Sequence, residues 1–330
     1  MEQKSVLIGM SGGVDSSVAA ALLKEQGYHV IGATMRLWTY SDSCNMKHEG
    51  CCAESAVEDA RRVCDKLGID FYVMNFKDMF KDKVVDYFVD EYIHGRTPNP
   101  CIACNKYLKF DALLKKALAM GIDYVATGHY AKIEKGEDGK YILRASEAVK
   151  KDQSYVLYNF TQEQLAHTLM PLGGYNKDWV RQKAEELGLG VAHKPDSQEI
   201  CFVEDDDYAK FITDYSGYKP KEGDILDVNG NVIGKHRGLI YYTIGQRKGI
   251  GAYGRPMFVM KIDAENNTIT LGEKGMEFSN ELTAYDVNFV SGEFPKENML
   301  ITAKVRYQAP PAAAMLCPQK DGTVKLMFPE

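Results

Sequence analysis

No stretch of this chain stays apolar long enough to cross a bilayer, and the short run after Met1-Glu2-Gln3-Lys4 is too brief for a secretory signal. No membrane partner is implied, and the cytosol is the expected location. Internal repeats and low-complexity segments are also missing, so the chain does not read as a solenoid or a linker-rich array. Positive charge is in short supply, with 40 Lys and Arg against 46 Asp and Glu and a net charge of −6. That argues against nucleic-acid binding by the surface as a whole, but not by a local patch. What is present is an ordinary globular composition, 45% hydrophobic and 26% charged, in 330 residues that suffice for two or three domains. Eight cysteines in a reducing compartment do not form a static disulfide framework; they are core thiols, metal ligands or reactive groups.

Near the start, Val6-Leu7-Ile8 has the pattern of a buried strand, and Val18 and Leu22 share a helix face. Between them lies Gly9-Met10-Ser11-Gly12-Gly13-Val14-Asp15-Ser16-Ser17. It lacks the Lys-Ser or Lys-Thr of a Walker A loop and the third glycine of a dinucleotide fingerprint. Backbone N–H groups freed by the glycines and by the helix start converge on one spot, where the helix dipole favours an anion. A bare tight turn is the plain alternative, but the hydroxyls and the Asp15 carboxylate favour a phosphate cradle, with Asp15 a candidate to help hold magnesium.

Strands follow at His29 to Thr34, Phe71 to Phe76 and Asp123 to Thr127, separated by amphipathic helices, one through Val57, Ala60, Cys64 and Leu67 and one through Phe80, Val84, Tyr87 and Phe88. This alternation predicts a doubly wound parallel α/β sheet with ligands at the carboxyl ends of its strands, so that the loops after Met10, Met35 and Thr127 share one crevice. Cys44, His48, Cys51 and Cys52 could suggest zinc, but adjacent Cys51-Cys52 is poor tetrahedral geometry, and a zinc-free loop is expected. Cys64 reads as core. The two prolines of Thr97-Pro98-Asn99-Pro100-Cys101-Ile102-Ala103-Cys104-Asn105-Lys106 predict an extended loop holding two cysteines near a helix start, before a helix through Leu113, Leu114 and Leu118. Asp138-Gly139 marks a hairpin, Thr161 with Gln164 a capping box, and Asn176 with Gly188 the ends of another helix.

From Glu204 the chain changes character. Residues 204–229 carry eight acids and three lysines, whereas residues 230–261 carry six Lys or Arg and no acid. His236-Arg237-Gly238, Tyr241-Tyr242, Gln246-Arg247-Lys248-Gly249 and Tyr253-Gly254-Arg255 interleave cations with rings, which suits a phosphate backbone and stacked bases; a solvated sheet face is the bland alternative. Asn229-Gly230 and Asn266-Asn267 are turn signals of a β-rich domain, and Leu282 to Phe328 reads as short strands of a small barrel.

Four separated pieces carry a family resemblance: Ser11 to Ser16; Asn99-Pro100 with Cys104-Asn105-Lys106; Lys151-Asp152-Gln153-Ser154-Tyr155; and Ser197-Gln198-Glu199-Ile200-Cys201-Phe202. The loop alone resembles N-type ATP pyrophosphatases of the PP-loop superfamily, and the four together resemble the tRNA-specific 2-thiouridylases nearly end to end. The resemblance implies a domain of the adenine nucleotide alpha-hydrolase kind over 1–203, a β-rich tRNA-binding domain over 204–274 and a C-terminal β-barrel over 275–330. It implies ATP with Mg2+ on Gly9, Met10, Ser11, Gly12, Gly13, Val14, Asp15, Ser16, Met35 and Gly128, and adenylation of O2 of a wobble uridine. Cys201 would carry a persulfide from a donor protein, and Cys104 would release its sulfur, either as hydrosulfide or by forming a disulfide with Cys201. Asn99, Pro100, Cys101, His129, Lys151, Asp152, Gln153, Arg306 and Tyr307 would touch the tRNA or its target base.

Two departures from the family pattern bear on these expectations. Many members have aspartate at Cys101, and related sulfurtransferases with three thiols hold an iron–sulfur cluster, so a cluster on Cys101, Cys104 and Cys201 stands beside the persulfide route. The chain also ends at Phe328-Pro329-Glu330, before the last strands usual in the family, so an incomplete barrel is expected. Two rivals fit part of the pattern: another PP-loop enzyme, forming amides or modifying tRNA without a cysteine pair, and a tRNA- or metal-binding module without turnover.

Overall fold

The computed structural model describes residues 3–38, 54–196, 200–203, 206–276 and 279–329. Cys44, His48, Cys51 and Cys52, and the motif residues Ser197, Gln198 and Glu199, lie outside the described residues. The chain divides into two compact units, one of Met1–Val84, Cys101–Phe202 and Asn288–Phe294, the other of Val85–Pro100, Val203–Val287 and Pro295–Glu330.

The chain runs β1 (Ser5–Gly9), α1 (Val14–Glu25), β2 (His29–Arg36), α2 (Glu54–Leu67), β3 (Asp70–Asn75) and α3 (Lys77–Phe80). A π-helical run, Lys81–Asp86, leads into α4 (Tyr87–Ile93). Then come α5 (Pro100–Ala103), a second π-helical run over Cys104–Ala112, and α6 (Leu113–Ala119). Next are β4 (Tyr124–Ala126), β5 (Ala131–Lys135), β6 (Tyr141–Ala145), α7 (Gln162–Ala166), β7 (Thr168–Leu169) and α8 (Lys177–Glu186).

In the first unit five parallel strands stand in the order β3-β2-β1-β4-β7. The order reverses between β1 and β4, so the crevice that such sheets use for ligands opens at the ends of these two strands. Val6, Leu7 and Ile8 are fully buried, as is the Val18-Ala19-Ala20 face of α1, which packs against α2 and α8. The Asp138-Gly139 turn joins β5 to β6 with Gly139 at φ +82°. Thr161 and Gln164 form the reciprocal capping box of α7, and Asn176 caps α8 through the Trp179 N–H at 2.8 Å.

The second unit adds α9 (Tyr208–Ser216), β8 (Gly223–Leu226), β9 (Val232–His236), β10 (Met257–Asp263), β11 (Thr268–Glu273), β12 (Glu281–Ala284), β13 (Met299–Ala303), β14 (Ala312–Pro318) and β15 (Val324–Met327). One sheet has the order β10-β11-β8-β9 and the other β12-β15-β14-β13. The latter is antiparallel and, among the described residues, open, as an incomplete barrel requires. The sequence reading missed α9, because the acidic run around it masked its apolar face of Ala209 and Ile212.

One expectation is corrected. Cys101 to Cys104 do not lie in an extended loop: Pro100 is the first residue of a helix, where its fixed φ and missing N–H cost nothing, and only Thr97, Pro98 and Asn99 are non-helical. The helix-end field therefore falls on Cys101 in the first turn, whereas Cys104 begins the π-helical second turn.

Candidate active site

The loop from Met10 to Gly13 leaves β1 and enters α1 at the switch point. Met10 is fixed at both ends of its peptide, its N–H bonding Ala33 O and its carbonyl accepting from Thr34 Oγ1, each at 2.8 Å. Gly12 adopts φ +70°, and a Cβ there would sit 2.2 Å from Ala56 O of α2, so neither the turn nor the packing tolerates a side chain. Gly13, the N-cap of α1, supplies no side-chain bond to the first-turn donors of the helix. Ser16 and Ser17 turn inward and bond Gly13 O at 3.2 and 2.8 Å, and Ser16 Oγ also accepts from the Ser11 N–H at 3.2 Å. Of the proposed nucleotide residues, Met10, Val14 and Ser16 are thus buried parts of the loop's frame; Met35 is half-buried at the end of β2. Gly128, after β4, lies so close to α1 that a Cβ would be 2.6 Å from the Ser16 nitrogen.

Asp15 is engaged by groups that sequence reasoning did not identify. Its Oδ1 accepts from Tyr130 Oη at 2.7 Å, and both oxygens accept from Lys177 Nζ, at 2.8 and 2.9 Å. Lys177 also reaches Asp196 Oδ1 at 2.6 Å, and Asp196 accepts from Lys151 at 2.6 Å, with Arg181 at 3.4 Å. Burial acts to raise the Asp196 pKa, but Lys151 and Lys177 outweigh it and hold the carboxyl below its ordinary value. Burial, reinforced by Asp15, pushes the Tyr130 phenol well up, so it is a hydrogen-bond donor at neutral pH. Lys177 lies 162 positions from Asp15, and no local pattern links the two. Lys194 bonds Gly12 O at 3.1 Å and Asp59 at 2.9 Å, adding a second clamp on the loop. Both Asp15 oxygens accept hydrogen bonds, and through them the loop is tied to Tyr130 and Lys177.

The Lys151-Asp152-Gln153 segment is built into the same site. Gln153 exchanges bonds with the Tyr130 backbone, accepting from its N–H at 2.9 Å and donating to its carbonyl at 2.8 Å. Asp152 accepts from Ser146 N–H and from Ser154 Oγ, at 2.9 and 2.7 Å. His129 Nδ1 is 2.7 Å from Thr127 Oγ1, with its ring 5.8 Å from that of Phe110. Burial first, and Lys109 second, drives its pKa well below the ordinary value, so the imidazole is neutral.

Cys104 is buried, Cys201 half-buried and Cys101 exposed. Among the described residues no group of three or more His, Cys, Asp or Glu is placed to hold a metal ion. Cys101 and Cys104 stand three positions apart on a helix but differ in exposure, and no iron–sulfur site is evident among the described residues. Asn105, beside Cys104, donates to Val156 O at 3.0 Å, tying the cysteine helix to the segment after Gln153. Phe202, fully buried, packs edge-on to Phe80 at 5.6 Å and near Trp38 at 6.4 Å, which anchors the chain next to Cys201. Cys64 is core as expected, its thiol pushed up to about 12 chiefly by burial.

In the second unit, Arg306 lies against the Gly245 segment: its Nη1 is 3.0 Å from where a Gly245 Cβ would be, and its Nη2 donates to Ile244 O at 3.5 Å. Thr97, two residues before Asn99, bonds Thr243 at 3.3 Å, and Lys304 lies over the Tyr307 ring at 5.2 Å. The basic span is partly neutralised, since Lys235 pairs with Asp224, Arg255 with Glu273 and Lys261 with Asp263. Arg237 lies over Tyr241 at 4.0 Å, and no ion pair among the described residues involves Arg247 or Lys248.

A parallel sheet with a glycine loop at its switch point, followed by two small β-sheets, defines a nucleotide-binding enzyme fold of the PP-loop kind. Residues 4–205 match the family described as tRNA methyl transferase HUP domain, and residues 209–273 the one described as tRNA methyl transferase PRC-barrel domain. The chain is 57% identical over 331 residues to the tRNA-specific 2-thiouridylase MnmA of Acetivibrio thermocellus, covering 99% of this chain and 92% of that protein. It is 57% identical over 329 residues to the protein of that name from Clostridioides difficile, covering 99% and 91%. The chain belongs to the tRNA-specific 2-thiouridylase family.

Proposed function

We propose that this protein is an ATP-dependent sulfurtransferase that converts the wobble uridine of tRNA to 2-thiouridine. The observation that carries the reading is the gathering, in one compact unit, of the glycine loop, the Gly128 strand end and the Lys151–Asp196–Lys177–Asp15 chain. Methyl transfer, named in the family descriptions, would leave Cys104, Cys201 and the phosphate cradle without a task.

A carbonyl oxygen is a poor leaving group, so O2 must be activated before sulfur can replace it. ATP lies on Gly9 to Ser16, with Met35 and Gly128 beside it; magnesium, which Asp15 would help hold beside the phosphates, would offset their charge. O2 attacks the α-phosphorus, and pyrophosphate leaves. The start of α1 stabilises the charge on the phosphate oxygens, and water exclusion strengthens that field. A sulfur atom then adds to C2 and AMP departs. Cys201 delivers the sulfur as a persulfide received from a donor protein. Cys104 thiolate attacks Cys201 Sγ, which breaks the sulfur–sulfur bond and leaves a Cys104–Cys201 disulfide to be reduced before the next turn. Asn99, Pro100, Cys101, His129, Arg306 and Tyr307 contact the tRNA or its base, and residues 204–274 and 275–330 serve as its binding domains. Lys151, Asp152 and Gln153 act there mainly by shaping the wall of the site. The protein works in the cytoplasm.

Pyrophosphate release tests the activation half. It is expected to require tRNA with an unmodified wobble uridine and to persist in Cys104→Ser and Cys201→Ser. Release that is equally fast without tRNA would contradict the assignment of the base as AMP acceptor.

A further inference from the structure

Two routes join Asp15 of the glycine loop to the Lys151-Asp152-Gln153 segment, and together they close a ring. One is ionic: Lys177 bridges Asp15 and Asp196, and Asp196 accepts from Lys151 at 2.6 Å. The other runs through a single residue. Tyr130 Oη donates to Asp15 Oδ1 at 2.7 Å, while the Tyr130 N–H donates to Gln153 Oε1 at 2.9 Å and the Tyr130 carbonyl accepts from the Gln153 N–H at 2.8 Å. The ionic route is compliant, since Asp196 divides its charge among Lys151, Lys177 and Arg181. The tyrosine route is not: the ring is 2% exposed, and burial, with Asp15 beside it, holds the hydroxyl in its protonated, donating form. Gly128, two residues earlier, packs on the Ser16 nitrogen, and the intervening His129 is tied to Thr127 Oγ1 at 2.7 Å. The segment that carries Tyr130 is therefore itself held against the start of α1.

We propose that Tyr130 is a positioning residue that sets the register between the nucleotide loop and the Lys151-Asp152-Gln153 wall of the base site. The inference rests on the proposed function, in which ATP binds the loop and the target base lies at that wall. Attack of O2 on the α-phosphorus requires two substrates, each held by a different segment, to meet at a defined separation and angle. Tyr130 spans the two segments with one rigid, uncharged group. Without its hydroxyl each segment keeps its other supports, because Asp15 retains both bonds from Lys177 and Gln153 retains both bonds to the backbone of residue 130. What is lost is the fixed spacing between them, and with it the rate of base activation.

The test is tRNA-dependent pyrophosphate release by the full-length protein, with ATP binding and tRNA binding measured on the same samples. Tyr130→Phe keeps the ring and so the packing of the core. Its kcat at saturating ATP and tRNA is expected to fall by about tenfold or more, while the dissociation constants of ATP and tRNA stay within about threefold of wild type. In a Gln153→Leu background, where the link is already weakened at its other end, the same substitution is expected to cost less than about threefold, since two breaks in one linkage do not add. Tyr130→Phe with wild-type kcat overturns the inference, as does a loss that lies in ATP affinity with kcat kept, or one of equal size in both backgrounds. A hydroxyl that serves stability alone would lower the urea midpoint and leave kcat of the folded protein unchanged, which also overturns it. Wild-type release that ignores tRNA would instead overturn the functional reading, and the inference with it.

Discussion

At the scale of single residues, the site is specified by what cannot be added. Gly12 combines φ +70° with a Cβ position 2.2 Å from a backbone oxygen, so Gly12→Ala must both strain the turn and push the loop from α2. The expected cost is about 2 kcal/mol or more, with ATP affinity falling alongside. Gly174, with open space around it, is the matched control, and Gly174→Ala is expected to be nearly neutral. Urea titrations and ATP binding on both variants check this; a stable Gly12→Ala with unchanged affinity would contradict the cradle. The glycines and Asp15 were legible in the sequence because they are adjacent. Lys177 and Tyr130 were not, because their pairing with Asp15 across more than a hundred positions leaves no local period to read, nor was Asp196, whose partners stand on other segments 15 to 45 positions away.

At the scale of elements, alternation of strands and helices gave the sheet, whose switch point then fixed the crevice. Some features escape it. β7 is two residues long and has no pattern of its own, and Pro100 starts a helix where two prolines alone point to an extended loop. The π-helical run at Cys104–Ala112 is equally invisible, since widened turns have no distinct apolar period. The sheet is also pinned at its foot by Asp123, just before β4, which accepts from Lys4 Nζ at 2.5 Å and from the Ser5 N–H and Oγ at 2.9 Å each. The Lys4 bond first, then Ser5, lowers the Asp123 carboxyl from 3.8 to about 2. A depressed carboxylate contributes stability that is present in full above its unfolded value and is lost as pH falls through the folded one. Asp123→Asn should therefore be less stable than wild type at neutral pH, with the two converging in acid near pH 2. Parallel stability curves over that range would show that the link is silent.

At the scale of the molecule, a net charge of −6 coexists with a tRNA substrate because cations are local. Three of the six in residues 230–261 are spent on neighbouring carboxylates, and Arg237, Arg247 and Lys248, with Arg306 against the Gly245 segment, remain the candidates for phosphate contact. Each such contact contributes roughly 0.7–0.9 to the slope of log affinity against log salt. Arg247→Ala should lower that slope by about one such step without changing ATP binding, read from tRNA binding at several salt concentrations. An unchanged slope would place Arg247 outside the interface.

The central claim, oxygen-to-sulfur exchange on the wobble uridine, is tested most directly by nucleoside mass analysis of unmodified tRNA incubated with the protein, ATP, magnesium and a persulfide donor. The account predicts 2-thiouridine at the wobble position with wild type, and none with Cys104→Ser or Cys201→Ser despite continued pyrophosphate release. A wobble uridine that keeps its oxygen with wild type, or that gains sulfur equally in both cysteine variants, would contradict it.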